Sequence, residues 1–156
     1  MNYNLITILG PTAVGKTRLG ALLANRFEGE IISADSRQVY KRMDIGTGKD
    51  LADYIVEGKN IPVHLVDVIN PTEEFNLFLF NKLFYQAYNN ILQRKKNPLL
   101  VGGTGLYLHS ILKSYSLTSV QFDNSKVEYL NKFSIQELAA RLKNINPALH
   151  NTTDLL

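Results

Sequence analysis

Eight residues near the start of the chain have the types and spacing of a phosphate-binding loop. They fit the pattern Gly, four residues, Gly-Lys-Ser/Thr, and they are Gly10, Pro11, Thr12, Ala13, Val14, Gly15, Lys16 and Thr17. In such a loop several backbone N–H groups surround one anion, usually a diphosphate or triphosphate. Lys16 adds a positive charge for the outer oxygens, and the Thr17 hydroxyl is placed to bind Mg²⁺. The spacing predicts a polyphosphate site without saying which reaction follows.

The residues around this loop support the same interpretation. The apolar run Leu5–Leu9 predicts a buried strand, and Arg18–Arg26 predicts a helix. A glycine-rich turn that only joins a strand to a helix is the alternative. The strand–loop–helix context favours a phosphate site.

Two other predicted strands run into loops that can carry chemistry. Asp35 follows the strand Glu30–Ser33, and its carboxylate can bind Mg²⁺, act as a general base or accept a hydrogen bond. It can equally cap a turn, and its position alone does not separate these roles. Thr104 follows the strand Pro98–Val101, where its hydroxyl can meet a ligand, cap the next helix, or do both.

Strands alternating with helices predict the fold. A further strand is predicted at Val63–Val66, and helices are predicted at Glu74–Arg94, Thr104–Leu112 and Ser134–Lys143. Thr72 is the predicted N-cap of the long helix, and Ser134 with Glu137 forms a capping box. This alternation predicts an α/β protein with a parallel sheet, whose ligands bind at the carboxyl ends of the strands.

Composition bounds the remaining possibilities. The 156 residues are 45% hydrophobic and 20% charged, as in an ordinary globular domain. The chain has no Cys, which excludes disulfides, thiolate metal sites and cysteine nucleophiles. No apolar run approaches a membrane span and no signal peptide is apparent, so a cytoplasmic location is expected. The net charge of +3 is compatible with a nucleic-acid partner but is weak evidence for one.

Some conspicuous residues have ordinary explanations. The basic cluster Arg94–Lys96 is interpreted as a helix carboxyl end favoured by the helix dipole. Lys49, in a glycine-rich segment, can reach phosphate, although a surface turn is the simpler interpretation. The histidines His64, His109 and His150 lack metal-ligand spacing and are interpreted as structural.

Four segments, taken in order and at their spacing, closely resemble the tRNA dimethylallyltransferases, also called tRNA isopentenyltransferases. They are residues 10–17, 35–40 (Asp-Ser-Arg-Gln-Val-Tyr), 43–49 (Met-Asp-Ile-Gly-Thr-Gly-Lys) and 100–107 (Leu-Val-Gly-Gly-Thr-Gly-Leu-Tyr). The resemblance implies a P-loop NTPase/kinase-like parallel sheet flanked by helices, with a partial helical insertion. It places the core at residues 1–115 and the insertion region at 116–156.

The resemblance also implies a reaction and its participants. A dimethylallyl group would move from dimethylallyl diphosphate to N6 of an adenosine beside the tRNA anticodon. Catalytic roles fall on Asp35 as the general base and on Lys16 and Thr17, with Mg²⁺ held by Thr17. Residues 10–17 would bind the diphosphate, with Thr12 touching its bridging oxygen. The anticodon stem-loop would contact Asp35, Ser36, Arg37, Gln38 and Thr104.

The chain also departs from this family. It reads Gly46-Thr47-Gly48-Lys49-Asp50 where the family usually reads Gly-Thr-Ala-Lys-Pro. The family pattern is truncated after the insertion region, so an incomplete enzyme is expected. Two alternatives therefore stay open: a small-molecule or nucleotide kinase acting on ATP, and a diphosphate-binding fragment without activity. The sequence carries no signal for an oligomeric state.

Overall fold

A parallel sheet of four strands organises the first part of the molecule. The computed structural model describes residues 4–115, 117 and 123–145. Within them the strands β1 (Ile6–Leu9), β2 (Gly29–Ala34), β5 (Val63–His64) and β6 (Asn97–Gly102) lie in the order β1-β6-β2-β5. The helices α1 (Lys16–Arg26), α2 (Leu77–Gln93) and α3 (Gly105–Leu112) flank the sheet. The predicted parallel α/β fold is therefore confirmed.

The register of the sheet aligns three loops at one edge. Gly102, the last residue of β6, pairs with Leu9 at the end of β1 and with Ala34 at the end of β2. All three strands run in the same direction, so the segments that follow them leave the sheet side by side. This alignment brings the phosphate loop, Asp35 and the Gly103–Thr104 turn to the same place.

Two hydrophobic clusters cover the two faces of the sheet. On one face Ile32 and Leu100 pack against aromatic and aliphatic side chains of α2 and α3, including Phe80 and Phe84. On the other face Ile31 and Leu99 pack against α1 and against the segment 54–61. Because successive strand residues point to opposite faces, the continuous apolar runs of β2 and β6 serve both clusters.

The predicted helices form, but the long one begins later than expected. Asn76, not Thr72, is the N-cap of α2, and its side chain accepts a hydrogen bond from the Leu79 N–H at 3.0 Å. Thr72 lies in the turn that precedes the helix. Asn is as good a cap as Thr, and its side chain meets the free N–H groups of the first helical turn.

One predicted strand is shorter than expected, and a short helix and a β-hairpin were not predicted. β5 ends at His64 because Leu65 adopts a positive φ of 65°, which extended backbone does not allow. A 3₁₀ helix (Leu51–Tyr54) and the hairpin strands β3 (Ile55–Val56) and β4 (Lys59–Asn60) lie between β2 and β5. Their sequence is too short and irregular for a periodic signal.

The chain divides into two compact units, residues 1–118 and 119–156. The described part of the second unit contains α4 (Asn124–Leu130) and α5 (Ile135–Ile145). The predicted capping box is confirmed, because the Ser134 N–H donates to Glu137 at 2.8 Å and the Glu137 N–H donates back at 3.3 Å. Helix α4 was not predicted, and its N-cap is Asp123.

Charged groups at the edge of the sheet opposite the three aligned loops bind one another. Arg94 lies at the carboxyl end of α2, as predicted, and donates two hydrogen bonds to Glu30 on β2. His64 contacts the same carboxylate at 2.7 Å.

The other two histidines lie elsewhere. His109 contacts the Tyr115 hydroxyl at 2.6 Å, and His150 lies outside the described residues. Within the described ranges, no helix combines the length and apolar character needed to cross a bilayer.

Candidate diphosphate and nucleotide site

The loop between β1 and α1 has a backbone shaped for an anion. Ala13 and Gly15 both adopt positive φ angles, 63° and 81°, whereas Val14 between them does not. Alternating backbone of this kind turns successive N–H groups toward one point, and the start of α1 adds its positive dipole end. The ammonium of Lys16 folds back over the loop and donates to the Pro11 carbonyl. The local geometry is that of a phosphate-binding loop.

Asp35 is held at the mouth of β2 by its own turn. Its Oδ1 accepts a hydrogen bond from the Arg37 N–H at 2.9 Å and lies 3.7 Å from Arg37 Nε. The turn-capping role considered from the sequence is therefore present. Both contacts use Oδ1, which leaves Oδ2 without a hydrogen-bond partner in the described part of the chain. One carboxylate oxygen fixes the side chain while the other can accept a proton.

Thr104 connects the loops after β6 and β2. It occupies the N-cap position of α3, but its side chain makes no capping hydrogen bond. Instead its Oγ1 accepts from the Ser36 N–H at 3.0 Å, and its own N–H donates to the Ala34 carbonyl at 3.1 Å. Thr104 therefore fixes the segment that presents Asp35.

These loops enclose a cavity of about 440 Å³ at the carboxyl edge of the sheet. The phosphate loop contributes Thr12, Ala13, Gly15, Lys16 and Thr17, whereas Gly10, Pro11 and Val14 are not among its lining residues. The other sequence-predicted residues that line it are Asp35, Ser36, Arg37, Gln38 and Thr104. One cavity thus joins an anion-binding loop to a carboxylate.

Gln38 and Lys49 both form hydrogen bonds to other residues of the protein. Gln38 lines the cavity, yet its amide donates to the Gly48 carbonyl at 3.1 Å and accepts from the Ser33 hydroxyl at 3.2 Å. Lys49 is buried away from the phosphate loop, and its ammonium contacts Asp67 at 2.6 Å and Asp44 at 3.0 Å. Burial alone would lower the pKa of Lys49, but these hydrogen bonds outweigh burial and raise it. The ammonium is held by two carboxylates, and Lys49 is not among the residues that line the cavity with the phosphate loop.

Other residues that line the same cavity were not predicted from the sequence, including two on the 3₁₀ helix. Asp53 and Tyr54 reach it from the 3₁₀ helix, whose N-cap is Asp50, accepting from the Ala52 N–H at 3.0 Å. The Arg18 guanidinium ties this segment to α1 by donating to the Ile55 carbonyl at 2.7 Å. The capping aspartate could have indicated a short helical turn here. Its position beside the cavity, however, results from tertiary packing.

The lining residues suit a magnesium–diphosphate complex. Across the part of the chain that the structure describes, no group of three or more His, Cys, Asp or Glu is arranged to hold a metal ion. Mg²⁺ usually keeps several waters and is bound by one or two protein oxygens together with substrate phosphates. The Thr17 hydroxyl lines one cavity with the phosphate loop, so this oxygen fits such an ion.

The fold and the loop define the class. A glycine loop between a strand and a helix, at the carboxyl edge of a parallel sheet, places this chain among the P-loop α/β proteins. The family model for IPP transferase matches residues 38–155. The chain belongs to the IPP transferase family, and the resemblance drawn from its sequence is confirmed.

Known relatives agree with this assignment. The chain is 56% identical to tRNA dimethylallyltransferase 1 of Geotalea daltonii over its full length, which is 50% of that relative. The full-length tRNA isopentenylpyrophosphate transferase of Bacillus halodurans is 38% identical, with a TM-score of 0.69 over 94% of this chain and 49% of that one. A eukaryotic dimethylallyltransferase acting on tRNA gives a TM-score of 0.78 at 29% identity, over 93% of this chain and 36% of that one. The chain spans about half the length of the curated relatives it matches.

Proposed function

We propose that this chain carries the diphosphate site and the catalytic base of a tRNA dimethylallyltransferase. The reaction would transfer a dimethylallyl group from dimethylallyl diphosphate to N6 of an adenosine beside the anticodon. The observation that carries the proposal is the shared cavity, in which Asp35 and the phosphate loop line the same 440 Å³. A tRNA substrate implies a cytoplasmic location and an anticodon stem-loop as the partner.

The lining residues account for each change of bonding. The allylic carbon–oxygen bond breaks as the adenine N6 forms a new carbon–nitrogen bond, and the N6 proton passes to Asp35. Negative charge grows on the departing diphosphate, where the loop N–H groups and Lys16 stabilise it. Mg²⁺ bound at Thr17 would add positive charge at the same oxygens. Ser36, Arg37, Gln38 and Thr104 border the carboxylate on the side proposed to receive the nucleotide.

Substitutions at Asp35 and Lys16 are expected to affect turnover and diphosphate binding differently. Asp35→Asn keeps an oxygen for the Arg37 N–H but removes the base, so turnover should fall by about 10²–10⁴-fold while diphosphate binding changes little. Lys16→Ala should weaken diphosphate binding by about 10–100-fold, since it removes a charged hydrogen-bond donor. Turnover is measured with dimethylallyl diphosphate and an anticodon stem-loop RNA, and binding with pyrophosphate by calorimetry.

The same measurements separate this proposal from its competitors. Equal losses of turnover and binding in Asp35→Asn would contradict the base role. Preferential binding of ATP over dimethylallyl diphosphate by the unmodified chain would favour a kinase. Pyrophosphate binding without transfer to RNA would leave a binding fragment.

A further inference from the structure

Tyr54 is a buried polar residue that the proposed chemistry does not use. Only 4% of its surface is exposed, and it lines the cavity that Asp35 and the phosphate loop share. No described residue makes a hydrogen bond to its hydroxyl, and this oxygen is not among the buried atoms that lack a partner in the described residues, so a ligand or water can reach it. The ring is fixed because it packs in the cluster that contains Ala21 and Ile31. Because Tyr54 lines the cavity, a ligand bound there can supply a partner for this hydroxyl.

The electrostatic surroundings restrict what that partner can be. Burial first, and then the charges of Asp53 and Asp35, raise the pKa of Tyr54 to about 12, so the hydroxyl keeps its proton. A phenol near two carboxylates is a poor place for a further anionic oxygen, which those carboxylates repel. A neutral acceptor atom is the better partner. The phosphate loop, on Lys16 and the start of α1, remains the place for the diphosphate.

Asp35 and Tyr54 together match one edge of a heterocycle. The carboxylate of Asp35 accepts an N–H, whereas the phenol of Tyr54 donates an O–H. Adenine offers an amino group at C6 with a neutral ring nitrogen on each side, N1 and N7. A base that gives its amino hydrogen to Asp35 therefore presents a ring nitrogen to a neighbouring donor.

We propose that Tyr54 is a specificity-determining residue whose hydroxyl donates a hydrogen bond to a ring nitrogen, N1 or N7, of the adenine that Asp35 deprotonates. This inference rests on the proposed function and adds the residue that recognises the base. It also gives the 3₁₀ helix a role, because that helix carries Tyr54 into the cavity. A base that fills the cavity and excludes water but has no acceptor in that position would leave the hydroxyl unpaired, which is the usual basis of strong discrimination.

The test uses a substitution that removes only the oxygen. Tyr54→Phe should keep the ring packing and the thermal midpoint, leave pyrophosphate affinity unchanged, and lower kcat/KM for an adenosine-containing anticodon stem-loop about tenfold. Tyr85→Phe makes the same change on the exposed face of α2 and should leave all of these values unchanged. Transfer is also measured with 1-deazaadenosine and 7-deazaadenosine at the target position.

The deaza substrates identify the atom. One of them should cost the unmodified chain the same tenfold and cost the Tyr54→Phe chain nothing more, because the hydrogen bond is already absent. Three outcomes would overturn the inference: unchanged kcat/KM in Tyr54→Phe, a matching loss of pyrophosphate affinity, or additive losses with both analogues. None of them would contradict the proposed function, as long as the unmodified chain catalyses transfer. Absence of transfer by the unmodified chain would instead refute the proposed function, and the inference with it.

Discussion

At the scale of single residues, the candidate site depends on side chains whose hydrogen bonds cross between loops. Thr104 stands at a helix N-cap, yet its hydroxyl accepts from the Ser36 N–H on the neighbouring loop. Similarly, one carboxylate oxygen of Asp35 accepts a hydrogen bond from the Arg37 N–H, and the other remains available. Each of these residues combines a structural contact with a position on the cavity. Substitutions that preserve only one of those features can therefore separate support of the loop from contact with a ligand.

Thr104→Val is expected to loosen the segment that presents Asp35. Valine has the shape of threonine but cannot accept from the Ser36 N–H, so unfolding free energy should fall by about 1–2 kcal/mol. Thr104→Ser keeps the oxygen and should recover most of that loss. Denaturant unfolding measures the stability, and the kcat of transfer should fall further than KM changes. Equal behaviour of the valine and serine variants would show that the hydroxyl is not the relevant group.

At the scale of elements, the close approach of β6 to β2 determines where the loops begin. A Cβ added at Gly102 would lie 2.3 Å from the Ala34 carbonyl oxygen, a backbone atom that cannot move without shifting β2. Gly105, three residues further on, has no atom within 4 Å of the same position. The structure thus requires glycine at position 102 but has room for a side chain at position 105, although both residues lie in the same glycine-rich motif.

Gly102→Ala is expected to destabilise the chain severely, by at least about 3 kcal/mol, because it overpacks two paired strands. Gly105→Ala is the matched control, and it should be neutral or stabilise by about 0.4–1 kcal/mol by restricting the unfolded chain. Urea unfolding followed by circular dichroism measures both. A Gly102→Ala protein as stable as the control would mean that the strands can separate at no cost.

At the scale of the whole first unit, one carboxylate joins three elements at the edge of the sheet opposite the cavity. Glu30 on β2 accepts from Arg94 at the end of α2, at 3.0 and 2.7 Å, and contacts His64 on β5. The hydrogen bond from Arg94 lowers the pKa of Glu30, against the opposing effect of burial. Because the folded pKa is lowered, the stabilisation is present above the unfolded value of 4.5 and is lost as pH falls through the folded value.

Glu30→Gln should therefore destabilise the chain near neutral pH and matter less in acid. The expected loss is about 1.5 kcal/mol, at the low end for charged hydrogen bonds because Arg94 is half exposed. The difference in unfolding free energy should shrink as pH falls below 4.5. Glu28→Gln, which breaks the exposed pair with Lys96, is the control and should have a much smaller effect. A Glu30→Gln difference that does not change with pH would rule out this linkage.

The fold class, the phosphate loop and the family could all be predicted from the order and types of the residues. Those features depend on local chemistry: the glycines and lysine of residues 10–17, the apolar runs of the buried strands, and the spacing of apolar residues along α2. The helix predicted over residues 74–94 forms, and its buried side chains Phe80, Phe84, Ala87 and Ile91 recur at three- and four-residue steps. Such patterns need only the neighbours along the chain, so they can be interpreted without a structure.

By contrast, the contacts of Lys49 and Gln38 and the position of Tyr54 follow from packing between distant parts of the chain. Lys49 reaches Asp67, and Gln38 reaches Gly48, through turns whose positive φ angles leave no periodic signal. Tyr54 lines the cavity because its 3₁₀ helix packs on α1 and the Arg18 guanidinium holds the hairpin beside it. The direction of a side chain in irregular backbone is set by distant packing partners, and residue types alone do not reveal those partners.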